Sequence, residues 1–265
     1  MRLFDAIEEA NQEGRLGLIL YTVPNYPNPA EFRSILEELS RRRAVSVVEM
    51  TFAVNGSFSD HANETIRNAH RQAFTHEGDY RKVLAAYRYE KASLCVLYQK
   101  TATDHSFGRV VQEMSGRIDG VLLEWNEDEH QSYFDHCARA GVELVQCVGP
   151  WMSSAQVEHI LGFCQPKALV YLMSAPMTGA RLFPQQELER LIALSKKIRP
   201  DIKMAAGFGI RTADDVRRLS RVNGLDGVII GTAFLERMGA GLEAVSTYLD
   251  EIEGALAHEP ARASL

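Results

Sequence analysis

Eight short apolar runs recur along the chain, separated by stretches of helical pattern. They are "LGLILYT" (16–22), "AVSVVEM" (44–50), "SLCVLY" (93–98), "DGVLLEW" (119–125), "VELVQCV" (142–148), "ALVYLMS" (168–174), "IKMAAGF" (202–208) and "DGVIIGT" (226–232). Strands that are apolar on both faces belong to parallel sheets covered by helices, because no face is left for water. The intervening segments carry one apolar stripe each. "NPAEFRSILEELSRR" places Phe32, Ile35, Leu36 and Leu39 on one side, and "TADDVRRLSRV" does the same with Val216, Leu219 and Val222. Thr212 ahead of Asp214 and Asp215 marks a helix start, and Pro184 opens another before "QQELERLIALSKKI". Eight strands alternating with helices over about 250 residues predict an α/β chain folded as a single (β/α)8 TIM barrel. A doubly wound open sheet is the structural alternative. No linker or low-complexity segment divides the chain, so residues 1–258 read as the barrel and 259–265 as a frayed C-terminal tail.

Composition narrows the function classes. A chain of 265 residues is long enough for one substantial core, and 46% hydrophobic with 24% charged residues is an ordinary globular balance. A net charge of -6 without a Lys/Arg cluster argues against nucleic acid as a partner. "SRRRAV" (40–45) reads as the solvated end of a helix, favoured by its dipole. No window approaches the ~18 apolar residues of a membrane span. The opening "MRLFDAIEEANQEGR" lacks the apolar region of a signal peptide. Cys95, Cys137, Cys147 and Cys164 show no CxxC spacing, so reduced thiols in a cytoplasmic chain are expected. His105 and His130 read as surface residues, no metal cluster is visible and no cofactor is expected.

In a barrel the chemistry sits where strands end and loops begin. Three such ends are glycine-bearing: "AAGFGIR" after the seventh strand, "GTAF" after the eighth, and "MTGAR" after the sixth. Gly209 with Ile210, and Gly231 with Thr232, stand at the loops where barrels bind phosphate, since glycine lets backbone N–H groups approach an anion. The plainer alternative is that these glycines only serve tight turns. Neither a Walker nor a dinucleotide fingerprint is present. One acid, Glu49, interrupts the second apolar run at its C-terminal end. There it faces the site, unless it is a core acid satisfied by a basic partner. The polar loop that follows carries Asp60, which is either functional or the N-cap of a helix beginning near Ala62.

The segments "YLMSAPMTGAR" (171–181), "GFGIRTADDV" (207–216) and "DGVIIGTAF" (226–234), with "NYPNPAEFRSILEEL" after the first strand and the "VVEM" of the second, resemble the tryptophan synthase alpha subunit family, the indole-3-glycerol-phosphate lyases. The resemblance is closest in the C-terminal part. It holds in outline over the first quarter and rests on strand spacing alone from about residue 93 to 165. It implies a (β/α)8 barrel that binds a glycerol-phosphate tail and cleaves a carbon–carbon bond, releasing indole and glyceraldehyde 3-phosphate. Carried over, it places phosphate on Gly179, Gly209, Gly231 and Thr232, the last standing where serine is usual. It also implies indole-pocket walls at Tyr21, Tyr171 and Phe208, a lid residue at Thr178 and the catalytic glutamate at Glu49. Such a retro-aldol cleavage calls for a mobile acid to move protons and a fixed carboxylate beside the ring nitrogen.

The second acid has two alignments. Counted forward from Glu49 it is Asp60; counted back from "TIRNA" (65–69) its position falls to Asn63, a neutral amide, with Glu64 or His61 as substitutes. The lid "SAPMTGA" is one residue shorter than the family loop, and "TFAVNGSFSD" replaces the proline-rich face that meets a tryptophan synthase beta-type subunit. After strand 4, Glu124, Trp125 and Asn126 are foreign to the family and read either as contacts to a different substrate head or as a solvated rim. Three readings follow: an indole-3-glycerol-phosphate lyase with or without a beta-type partner, a lyase or aldolase on another phosphorylated substrate in a specialised biosynthetic pathway, or a non-catalytic barrel that binds a partner.

Overall fold

A computed structural model describes residues 3–56, 62–124, 130–174 and 184–257. All eight expected strands form: β1 (Gly17–Thr22), β2 (Val45–Thr51), β3 (Ala92–Leu97), β4 (Gly120–Leu123), β5 (Glu143–Val148), β6 (Ala168–Met173), β7 (Ile202–Gly207) and β8 (Gly227–Ile230). They pair in chain order, all parallel, and β8 closes on β1. The open-sheet alternative is therefore excluded. Nearly every strand residue is buried, because one side fills the barrel and the other lies under helices.

The described helices, in chain order, are α1 (Leu3–Gln12), α2 (Pro29–Arg41), α3 (Glu64–His76), α4 (Tyr80–Ala86), α5 (Gln99–His105), α6 (Phe107–Met114), α7 (His130–Ala140), α8 (Ser154–Leu161), α9 (Gln185–Ile198), α10 (Ala213–Leu219), α11 (Thr232–Ala240) and α12 (Leu242–Glu253). Their ends follow local chemistry. Asn28 accepts the Glu31 N–H at 3.0 Å ahead of Pro29, and Pro184 opens α9. Thr212 and Asp215 form a reciprocal capping box on α10. That helix stops at Leu219, short of the full predicted stripe, yet Val222 is still buried by the turn that follows. Helix α3 begins at Glu64 rather than near Ala62, and its cap is Asn63, not Asp60.

Helix α1 lies across the N-terminal end of the barrel and meets β1, β2, β3, β6 and β7. It is admitted by glycines at strand starts: a Cβ on Gly17 would lie 2.4 Å from Ile7, and one on Gly120 2.6 Å from Leu3. Asp226, at the same end, accepts the Met204 N–H at 2.8 Å and pairs with Lys196 at 2.7 Å and Lys203 at 3.3 Å. Lys203 reaches on to Glu8 of α1 at 2.5 Å. The N-terminal face is thus sealed and tied by charge, and the opposite face is left open for a site.

Candidate active site

The C-terminal ends of the strands surround a cavity of about 170 Å³. Tyr21, Glu49, Tyr171, Phe208, Gly209, Gly231 and Thr232, singled out from five separate places in the sequence, all line it. The barrel's register brings them level: Tyr21 sits beside Glu49 across β1–β2, and Tyr171 beside Cys147 across β5–β6. Asp60, Thr178 and Gly179, and with them Trp125 and Asn126, lie outside the described residues.

Glu49 is 2% exposed in the buried strand β2. Loss of water pushes its carboxyl up to about 8, so the group is mostly protonated at neutral pH. Among the described residues no basic partner offsets that effect. Around it stand Tyr21, Tyr171 and Cys147. Burial raises both phenols well above their usual range and pushes the thiol up to about 12. All three are therefore neutral, and none competes with Glu49 for its proton below pH 8.

Two residues of this constellation, His70 and Tyr98, escaped the sequence reading. His70 lies on the buried face of α3 with Ile66, Ala69 and Ala73, a spacing that marks it as inward-facing. Its Nδ1 accepts the Val54 N–H at 3.1 Å, so the ring proton sits on Nε2, which donates to the Tyr21 hydroxyl at 3.1 Å. Burial lowers His70 to about 3, which keeps the ring neutral. Tyr21 in turn hydrogen-bonds Tyr98, whose ring meets His70 edge-on at 4.8 Å. Tyr98 stands just past the end of β3 and also lines the cavity. Its position at the close of "SLCVLY" was the available signal.

The loops after β7 and β8 shape the other side. Phe208 and Gly209 both take left-handed backbone, with φ of 70° and 71°. For Phe208 that is a strained choice, held in place by Ser174, whose hydroxyl donates to the Phe208 carbonyl at 2.9 Å. Gly231 precedes α11, so the first N–H groups of that helix face the cavity's edge beside Thr232. Asn63 couples this corner to α3: its Oδ1 accepts the Ile66 N–H at 3.1 Å, and its Nδ2 donates to Thr232 Oγ1 at 2.8 Å. Arg211 adds a cation nearby, paired with Glu236 at 2.6 Å.

A sequence model of the family described as "Tryptophan synthase alpha chain" matches residues 7–260. The tryptophan synthase alpha chain of Campylobacter jejuni is 24% identical over 243 residues, spanning 88% of this chain and 94% of its own. That of Synechococcus elongatus is 26% identical over 264 residues, spanning 97% of each. Among solved structures, Mycobacterium tuberculosis tryptophan synthase superposes with a TM-score of 0.82 at 19% identity, covering 97% of this chain and 98% of that one. The alpha subunit from Campylobacter jejuni superposes at 0.78 with 21% identity, covering 90% and 96%. At those identities the structures speak to the fold. The match of the family model along almost the whole sequence goes further, and the chain belongs to the tryptophan synthase alpha chain family.

Proposed function

We propose that the chain is an indole-3-glycerol-phosphate lyase, a carbon–carbon lyase of the retro-aldol type. The observation that carries this reading is a protonated, buried Glu49 in the same cavity as the glycine-bearing loops after β7 and β8. The phosphate of the substrate rests on backbone N–H groups at Gly209, Gly231 and Thr232, with Gly179 and the lid residue Thr178 completing the cradle. Tyr21, Tyr171 and Phe208 wall the ring.

The proton balance is simple. Glu49 as the neutral acid gives its proton to indole C3, and the ring nitrogen takes up the positive charge. The bond from C3 to the carbinol carbon breaks, its electron pair returning to the ring. The carbinol hydroxyl gives its proton to the Glu49 carboxylate as the aldehyde forms. One residue thus supplies and recovers one proton, and a pKa near 8 suits both halves of the exchange. Asp60 is the fixed carboxylate beside the ring nitrogen in this reading. The departures at the lid and at "TFAVNGSFSD" support cleavage by this chain alone, with a beta-type subunit as an optional partner.

The test is indole release from indole-3-glycerol phosphate by the purified chain. Glu49→Gln is expected to lower kcat by about 10²–10⁴-fold while calorimetry still detects binding of the phosphate ester. Equal turnover by variant and parent would remove Glu49 from the mechanism. Asp60→Asn is expected to lower kcat more than it raises KM, and an unchanged kcat would pass the second acid's role to another residue.

A further inference from the structure

Helices α3 and α11 pack together, and one amide joins their first turns across 169 positions of sequence. Asn63, the residue before α3, is half-buried. The Ile66 N–H donates to its side chain at 3.1 Å. A backbone N–H needs an acceptor, so the atom it meets is the amide oxygen. The amide nitrogen is thereby turned toward α11, where it donates to Thr232 Oγ1 at 2.8 Å. The cap of one helix thus decides which end of the amide the other helix meets.

That choice has a consequence for Thr232. A threonine hydroxyl has one proton to give and two lone pairs to receive with. An amide NH2 group donates and does not accept, so Asn63 occupies a lone pair and leaves the Thr232 proton to another acceptor. Among the described residues nothing takes that proton. Thr232 lines the cavity at the start of α11, and Gly231 ahead of it supplies no side-chain cap to the first N–H groups of that helix. The Thr232 hydroxyl, these N–H groups and the Arg211 guanidinium in the same lining are all donors. A group that only accepts, such as the oxygens of a phosphate dianion, complements them.

We propose that Asn63 is a positioning residue for the phosphate of the substrate, acting through Thr232 by directing the hydroxyl proton toward the phosphate oxygens. This inference rests on the phosphate cradle of the lyase reading above. It also accounts for asparagine at a position where the helix alone would accept aspartate equally well. An aspartate carboxylate would cap α3, but it would take the Thr232 proton for itself and set a negative charge beside the phosphate.

Asn63→Asp therefore separates the two roles of the side chain. The melting temperature of this variant is expected to match the parent's. Calorimetry with glycerol 3-phosphate is expected to show binding weakened by about tenfold or more, and KM for indole-3-glycerol phosphate to rise by more than kcat falls. Asn63→Ala is expected to weaken glycerol 3-phosphate binding several-fold, and to change it little once Thr232→Val has removed the hydroxyl. Unweakened binding by Asn63→Asp overturns the inference and leaves the lyase reading standing. Additive losses for Asn63→Ala and Thr232→Val do the same, since Asn63 would then not act through Thr232. A rise in kcat for Asn63→Asp also overturns it, by giving position 63 to the second acid. Failure of the parent to bind glycerol 3-phosphate removes the phosphate cradle itself, and the inference with it.

Discussion

Glu49 and His70 are buried titratable groups displaced in opposite senses by the same cause. Folding moves Glu49 from its ordinary 4.5 up to about 8. The unfolded chain sheds that proton near 4.5, so the stability tied to the neutral carboxyl is complete below that pH and is lost as pH rises to about 8. Glu49→Gln is therefore expected to melt at a higher temperature than the parent at pH 9, with the gap closing toward pH 5. In the same window kcat/KM of the parent is expected to fall as pH passes about 8, as the acid form of Glu49 is depleted. An alkaline limb absent from the profile would contradict the raised pKa. His70 moves from 6.5 down to about 3, so its contribution is present above 6.5 and lost as pH falls toward 3. His70→Leu orphans the Val54 N–H and is expected to cost about 1–3 kcal/mol in urea unfolding.

At the scale of elements, the start of α3 and the start of α11 share one amide, Asn63. Asn63→Ala removes a cap worth about 1 kcal/mol and frees Thr232 at the start of α11, where the proposed function puts the phosphate. The expected outcome is a modest loss of stability with KM raised several-fold and kcat retained. A collapse of kcat instead would favour the alignment in which Asn63 occupies the second acid's place. The strands were legible in the sequence because burial on both faces keeps them mostly apolar, and Glu49 stood out as an acid at the C-terminal end of such a run. The glycines after β7 and β8 were legible because they stand together at two neighbouring strand ends, and Gly209 takes a left-handed φ of 71°. His70 was not, because a lone histidine on the apolar face of a helix has the same spacing whether it packs or donates. Only the approach of β1 to α3 reveals that its partner is Tyr21.

Across the whole molecule, function and stability occupy opposite faces of the barrel. Asp226 binds Lys196, Lys203 and the Met204 N–H at the face away from the cavity. Asp226→Ala is expected to lower stability by about 2–3 kcal/mol while kcat/KM of the folded fraction stays within about twofold; a larger loss of activity would show that the two faces are coupled. Helix α1 rests on this sealed face, and its contacts extend to β6 and β7. That arrangement bears on how the chain is made. A ribosome adding ~5–20 residues per second delivers α1 on the order of ten seconds before β6 exists, so the nascent helix emerges with part of its resting place still untranslated. Until then its apolar side, Leu3 and Ile7 included, is available to whatever waits at the exit tunnel, and the last steps of synthesis rather than the first complete the barrel's base.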